Sequence, residues 1–439
     1  MSARILIIGA GFGGVYTAKA LLAQAKKGEV EIMLISEKDY FLFTPLLHEV
    51  AAGALDPRSI IEPLRHIFWR EGLKVMKGRV KEIKSTEKKV LIETRSGSLE
   101  ESYDYLVLST GAETNYYGIG GARENTYPLK TLDDAQAVRK RIVECLEKAK
   151  EEKDPAKREK LLTFLIVGGG ATGVELSAEI AEFAEDMIGH YRYEDRSQGR
   201  LDHWKKSNLT AKIILINASK DILEQFPPAL RLAAEVRLMK KGIVVKSETT
   251  VVSVSAGALR TNDGQEYHSE TIIWVAGVTP TLPALDFVPL KAESRLVADT
   301  HLRMKDHPDI FLLGDIAAYD DRPAGDRDAV GRPESRPRLV PMLAQAAVRE
   351  AEVVAANILG SIDHRPLKVF SFHSKGSLIS VGRWFAIGQI YSLNISGPLA
   401  WWLWRTVYLF KFGSNRKRLR IAWEWTRDLF RRRGGRGRT

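Results

Sequence analysis

RILIIGAGFGGVYTAKAL, residues 4–21, runs from four apolar residues (Ile5 to Ile8) through Gly9, Gly11 and Gly14 into a helical pattern. The same grammar returns at residues 164–180, FLIVGGGATGVELSAEI, where Phe164 to Val167 lead into Gly168, Gly170 and Gly173. In a strand–G-x-G-x-x-G–helix unit the first glycine makes a tight turn. The second lets a pyrophosphate approach the backbone, and the third lets helix pack on strand; the helix N-terminus attracts the anion. One such match reads equally well as a glycine-rich turn. Two, each following a strand-like run and opening a helix, predict an α/β chain with two Rossmann-like dinucleotide-binding domains.

The strand after each motif should carry a group to the adenosine ribose. In EVEIMLISEKDY (residues 29–40) that group is Ser36 or Glu37, since the register is open by one residue. In TAKIILINASKD (residues 210–221) the expected acid is replaced by Asn217, followed by Ser219 and Lys220. A missing carboxylate with a nearby hydroxyl and ammonium relieves repulsion toward a 2′-phosphate. Alternatively Asn217 binds the ribose hydroxyls of NAD and Lys220 points to water. Tandem sites predict one bound flavin nucleotide and one visiting nicotinamide, NADH or NADPH. LVLSTGAETNYYG (from Leu106) and TIIWVAGVTP (from Thr271, through Gly277) read as closing strands with glycine turns, and IFLLGDIAAY (from Ile310) ends at Gly314–Asp315. An acid there suits a flavin ribityl hydroxyl beside a helix N-terminus; its plainer reading is an N-cap.

The chain has 439 residues, enough for two or three domains. The single cysteine, Cys145, excludes an internal disulfide, a C-x-x-C redox pair and a cysteine metal cluster. No metal site is expected. One cysteine also fits a reducing, cytoplasm-facing compartment. The net charge of +11 is concentrated at one end: from Arg405 onward twelve cations face only Glu424 and Asp428. The rest is nearly neutral, which argues against a nucleic-acid face on the main body. The N-terminal apolar run leads into glycines without a cleavage-like tripeptide, so no signal peptide is expected. No run reaches the roughly 20 apolar residues that span a bilayer.

The C-terminal region is SGPLAWWLWRTVYLFKFGSNRKRLR (residues 396–420) and then IAWEWTRDLFRRR. Pro398 suits a first helical turn and Gly413 a stop. After the basic linker, Ile421 and Trp425 fall at helical spacing, and Trp425, Leu429 and Phe430 make a partial apolar stripe opposite charge. Trp, Phe and Leu opposite Arg and Lys are the composition of a helix lying in a membrane interface. Each cation near an anionic surface adds about 1 kcal/mol. The alternative is a helix packed on the protein body or on a second copy, and the two are compatible. GHYRYEDRSQGRLDHWKKSN (residues 189–208) and YDDRPAGDRDAVGRPESRPR (residues 319–338) read as polar surface loops.

Together with the paired glycine motifs, YFLFTPLLHEVAAG (residues 40–53), GVELSAE (173–179), LGDIA (313–317), AQAAVRE (344–350), FSFHSKGSLISVG (370–382) and the Trp-rich tail resemble one family, the type II (non-pumping, alternative) NADH:quinone oxidoreductases. The resemblance covers essentially the whole chain. It implies a flavin domain over 1–118 and 279–364, a nicotinamide domain over 119–278, and a membrane-associating region over 365–439. It implies FAD along Gly11, Thr44, Pro45, Leu46, Thr110, Gly111 and Asp315, and nicotinamide along Gly170, Gly173 and Glu175. It further implies a membrane quinone near Gln345 and Lys375, a homodimer, and attachment to the cytoplasmic face of a membrane. Glu175, Gln345 and Lys375 are thus the candidate catalytic residues. The chain departs from the family pattern at Arg349, often Gln, and at Asn217, usually Glu.

The residue types fit that chemistry. Hydride passes from nicotinamide to flavin without a protein nucleophile. A carboxylate such as Glu175 can relay the protons a quinone takes up if burial raises its pKa; otherwise it is an acid favouring a helix N-terminus. Gln345 can donate to a quinone carbonyl or be a surface polar residue. His48 reads more simply as a structural histidine, and Cys145 as inert. Sulfide:quinone oxidoreductases and disulfide reductases need two working cysteines, which this chain lacks. The alternatives left are a pyridine-nucleotide flavoprotein reductase with another acceptor and a non-enzymatic flavin- or NAD-dependent sensor.

Overall fold

A computed structural model describes residues 2–69, 72–197, 209–322, 339–412 and 415–430. The chain forms two compact units: Met1–Leu42 with Ile61–Glu113 and Val278–Ser374, and Phe43–Ile60 with Thr114–Gly277 and Lys375–Thr439.

In the first unit the opening strand Ala3–Ile8 lies at the centre of a six-stranded sheet, parallel to Val30–Ser36 on one side and to Tyr105–Leu108 on the other. His307–Leu312 continues the parallel set beyond Tyr105–Leu108, and Lys74–Lys77 beyond Val30–Ser36. Because side chains alternate along a strand, the opening strand feeds two cores. Ile5 and Ile7 pack with Ile32, Leu34 and Val107 under residues of helices Phe12–Gln24 and Ala344–Ile362. Leu6 and Ile8 pack with Ile83, Val90 and Ile92 of a small antiparallel meander, Arg79–Lys84, Lys89–Thr94 and Gly97–Ser102. Full burial of each such side chain contributes about 1.5–3 kcal/mol, so the near-continuous apolar run is what a doubly covered parallel strand requires.

The second unit repeats the plan with Thr163–Val167 between Lys212–Ile216 and Thr271–Trp274, flanked by Val244–Lys246 and Tyr127–Pro128. Helix Ala171–Ser197 follows the glycine turn and runs well past residue 189. The polar excursion expected from 189 thus begins as helix, and residues 198–208 lie outside the described residues. Of the second expected loop, Tyr319 is instead buried, donating its hydroxyl to the Phe370 carbonyl at 2.5 Å, and residues 323–338 lie outside the described residues. Three antiparallel strands, Gly376–Ser380, Ala386–Ile390 and Leu393–Gly397, lead into helices Pro398–Phe410 and Asn415–Phe430.

Phe43–Ile60, carrying the whole of TPLLHEV (residues 44–50), clusters with this second unit although its neighbours in sequence belong to the first. The reason is packing: helix Leu47–Ala51 lies against helices Leu132–Glu151 and Ala171–Ser197, and the Phe43 ring meets Phe412 and Tyr408 at 4.7 and 6.0 Å.

The glycines of the two motifs divide into two kinds. A Cβ on Gly14 would run into the Gly9 carbonyl oxygen, and one on Gly173 into that of Gly168. A Cβ on Gly11 or Gly170 would meet nothing within 4 Å. Gly14→Ala and Gly173→Ala are therefore expected to lower stability by about 1–3 kcal/mol in denaturant unfolding. Gly11→Ala is expected to leave stability nearly unchanged while reducing bound FAD, read as flavin absorbance per protein.

Candidate functional site

In the first unit the Gly9 amide donates to the Ile35 carbonyl at 2.8 Å, and the Ser109 hydroxyl donates to the carbonyls of Ile8 and Gly9 at 2.8 and 3.2 Å. These bonds fix the turn under helix Phe12–Gln24, which begins with no side-chain cap and no acid in its first turn. Its first amides and the positive end of its dipole therefore suit an anion. The corresponding bond in the second unit, Gly168 amide to Ile216 carbonyl at 2.8 Å, makes Ser36 and Asn217 equivalent positions. Ser36 ends its strand and accepts from the Lys38 amide at 3.3 Å. Glu37 is exposed, 3.5 Å from Arg79.

Thr110 and Gly111 follow the closing strand of the same unit. The Thr110 hydroxyl donates to the Thr281 carbonyl, and the Gly111 carbonyl accepts from the Thr281 amide at 3.0 Å. Space beside Gly111 is open. Gly314 and Asp315 start a 3-10 turn, where the Gly314 amide donates to Glu350 Oε2 at 2.6 Å. Glu350 lies on the helix that begins with Ala344 and half-buried Gln345, whose amide donates to Ser374 Oγ at 3.2 Å. The uncapped helix start and the open faces of Gly11 and Gly111 fit an FAD; these are the cradles a Cβ would fill. Sequence reading placed no role on Glu350, because its value lies in reaching Gly314, 36 residues away.

In the second unit Gly168, Gly170 and Gly173 open helix Ala171–Ser197, and the Tyr117 hydroxyl stands over Gly277. Asn217 is buried and committed to its own loop. Its Oδ1 accepts from the Gly169 amide at 3.2 Å, and Nδ2 donates to the carbonyls of Ser219 and Asp221 at 2.8 and 2.9 Å. Both amide hydrogens are therefore spent inside the protein. Ser219 is half-buried and Lys220 exposed. Thr44, Pro45 and Leu46 form a 3-10 turn in this unit, with Leu46 buried and Thr44 exposed. Lys375 is exposed at the start of strand Gly376–Ser380.

Glu175 sits in the helix's second turn, and its carboxylate reaches away from the helix amides. Oε1 accepts from the Ser380 amide at 3.1 Å, and Oε2 is 3.7 Å from His48 Nδ1. Burial pushes its carboxyl well above the usual glutamate range against the Ser380 N–H, and Glu49 and Glu179 push it further. Tyr408 is driven upward too, by burial and then by Glu175. Glu49 accepts from the Trp425 indole N–H at 2.6 Å. Glu424 accepts from the Ser59 hydroxyl at 2.9 Å and the Asp56 amide at 3.2 Å, with burial raising its pKa. These links join residues more than 360 positions apart, so no local spacing signals them. Among the described residues no group of three His, Cys, Asp or Glu is arranged to hold a metal.

Burial lifts the Glu350 carboxyl to about 7, the Gly314 N–H opposes this, Asp315 adds to it and Arg295 offsets it. A folded pKa above the unfolded value of 4.5 means that the folded state holds this proton more tightly. Its contribution is present at low pH and is lost as pH rises through about 7, roughly 3 kcal/mol in all. Unfolding free energy is expected to fall between pH 5 and 7.5 in the wild type and to be flatter in Glu350→Gln, measured by denaturant titration across that range.

Residues 3–351 match the pyridine nucleotide-disulphide oxidoreductase family, and residues 374–434 match the NDH2 C-terminal domain. The chain is 30% identical to the type II NADH:quinone oxidoreductase Ndh of Mycobacterium tuberculosis, over 96% of this chain and 87% of that one. It is 29% identical to the demethylphylloquinone reductase NdbB of Synechocystis, over 97% and 96%. Its fold resembles the structure of NDH2 from Plasmodium falciparum in complex with NADH, with a TM-score of 0.85 and 20% identity over 99% of both chains. With family matches over residues 3–351 and 374–434 and 30% identity to Ndh over nearly the whole chain, the chain belongs to the type II NADH:quinone oxidoreductases.

Proposed function

We propose that this protein oxidises NADH, and accepts NADPH, at a membrane surface and passes two electrons through FAD to a membrane quinone without pumping protons. The observation that carries this reading is Glu175, a carboxylate held inside the second unit by the Ser380 N–H and His48, on the helix that opens at Gly170. FAD, when bound, supplies the two-electron relay between nicotinamide and quinone. In the first unit Gly9, Gly11, Gly14, Ser36, Thr110, Gly111, Gly314 and Asp315 hold it. Gly168, Gly170, Gly173 and Gly277 hold the nicotinamide nucleotide, and Asn217 braces the loop beside Gly169. Burial favours the protonated form of Glu175, and that proton can pass to a reduced acceptor. Gln345 in the first unit offers an N–H donor to a quinone carbonyl, and Lys375 in the second is the other candidate donor. At position 217 no carboxylate repels a 2′-phosphate, and Lys220 adds a cation beside it.

The C-terminal helices supply the surface. Trp401, Trp404 and Trp425 are all buried, as are Ile421 and Arg405. The stripe expected to meet lipid through Trp425 is thus turned inward, and the side chains of Leu429 and Phe430 lie outside the described residues. Outward stand Leu399, Trp402 and Phe410 on the first helix, and Leu419 and Trp423 on the second. Lys411, Arg416 and Arg420 are exposed around them. Exposed tryptophans with cations suit the headgroup boundary of an anionic leaflet. No helix among the described residues is long and apolar enough to cross a membrane. Placement on the cytoplasmic face is supported by the single, buried Cys145, and a homodimer by the family resemblance.

Two measurements test this reading. Steady-state oxidation of NADH and NADPH with a short-chain quinone is expected to turn over with both nucleotides. Glu175→Gln is expected to cut kcat about 100-fold; absence of quinone-dependent turnover in the wild type refutes the function. In vesicle flotation, Trp402→Ser and Trp423→Ser are each expected to weaken binding to anionic vesicles about tenfold. Equal binding by the double variant refutes the surface.

A further inference from the structure

Beside Glu175 the structure places a histidine whose simpler reading from sequence is structural. His48 comes from helix Leu47–Ala51, its ring is 2% exposed, and its Nδ1 stands 3.7 Å from Glu175 Oε2. Every element packed around the two can be read for charge. Helix Ala171–Ser197 contributes Glu179 besides Glu175, and helix Leu47–Ala51 contributes Glu49 besides His48. Strand Gly376–Ser380 contributes the Ser380 N–H. Helix Pro398–Phe410 contributes Trp404, 6.3 Å from the imidazole between ring centres, and the Tyr408 hydroxyl. Trp425 of the last helix donates to Glu49. The neighbouring cations are engaged elsewhere: Arg139 faces Asp56, and Arg405 lies over the rings of Trp401 and Trp425.

A buried carboxylate among two further acids is costly as an anion, and a lone buried imidazolium is costly as a cation. The pair avoids both by carrying one proton. Neutral acid with neutral imidazole, and carboxylate with imidazolium, have the same net charge of zero, and the proton can sit on either group. Turnover needs one such proton. NADH gives two electrons and one hydrogen nucleus as hydride, whereas a quinol gains two electrons and two hydrogen nuclei. The second hydrogen arrives as a proton from solvent.

We propose that His48 and Glu175 are a proton-sharing pair that stores this solvent proton, with His48 a positioning residue that acts through Glu175. The proposal rests on the reading of Glu175 as the proton donor. When Glu175 gives up its proton, the pair is left one unit negative beside Glu49 and Glu179, and uptake from solvent restores it.

The test is infrared pH titration of the full-length, flavin-loaded protein, following the protonated-carboxyl band that Glu175→Gln removes. Coupled groups lose protons in two shared macroscopic steps. In the wild type the Glu175 band is expected to fall in two steps, and in His48→Gln in one. His48→Gln is also expected to lower kcat with quinone about tenfold while KM for NADH stays within about twofold. A one-step fall in the wild type overturns the pair and leaves the role of Glu175 standing; full turnover by Glu175→Gln overturns that role itself. Should His48→Gln fail to load flavin, wild-type protein with ring-15N histidine decides. An imidazolium band sharing both midpoints with the carboxyl band supports the pair, and one that shares neither overturns it.

Discussion

A helix can offer its N-terminal amides to a phosphate only if the turn beneath it is held by something other than those amides. Both glycine motifs meet this constraint with the same bond, from the first glycine's amide to the carbonyl ending the neighbouring strand, Gly9 to Ile35 and Gly168 to Ile216. The third glycine then sits so close to the first one's carbonyl that a methyl group has no room. The second faces open space. Sheet register, helix placement and nucleotide cradle follow from that contact, and this is why one short pattern fixes so much of the fold.

Against that frame the buried carboxylates show where the chain departs from a plain dinucleotide-binding protein. Glu350, Glu424 and Glu175 each accept an amide N–H from a distant segment, from Gly314, Asp56 and Ser380. An amide lowers the cost of burying a carboxylate but does not cancel it, so all three keep raised affinities for a proton. At Glu350 the consequence is structural, since the acid braces the turn bearing Asp315. Glu175 differs in its neighbour, since His48, a side chain of the kind that can also hold a proton, stands 3.7 Å away.

The sequence made the two parallel sheets legible, since Ile5–Ile8 and Phe164–Val167 leave few places for such runs except a doubly covered strand. It also singled out Glu175, Gln345 and Asp315. It left the ribose position open between Ser36 and Glu37, because a one-residue choice of register needs the neighbouring strand, and the Gly9–Ile35 bond makes Ser36 the equivalent of Asn217. Asn217 shows a different limit. Its amide stitches Gly169 to the loop at Ser219 and Asp221, a task that residue type alone does not announce. Glu49, Glu424 and Glu350 were given no role because their partners lie far away along the chain and carry no motif.

The C-terminal helices show why composition cannot say which tryptophans are exposed. A helix turns about 100° per residue, so adjacent Trp401 and Trp402 face different ways, and only Trp402 is half-exposed, at 51%. Spacing within one helix cannot say which stripe is buried, because both stripes are apolar. The polar residues decide it. Glu424 and Asp428 are buried on the inner side of the last helix, where Glu424 accepts from Ser59 and Asp428 lies 3.5 Å from Arg383. Trp425 is carried inward between them, while Trp423 turns outward, 66% exposed. The two acids in an otherwise basic tail thus orient it. They anchor one face to the second unit and leave the aromatic and cationic residues of the other face to solvent or to a lipid surface.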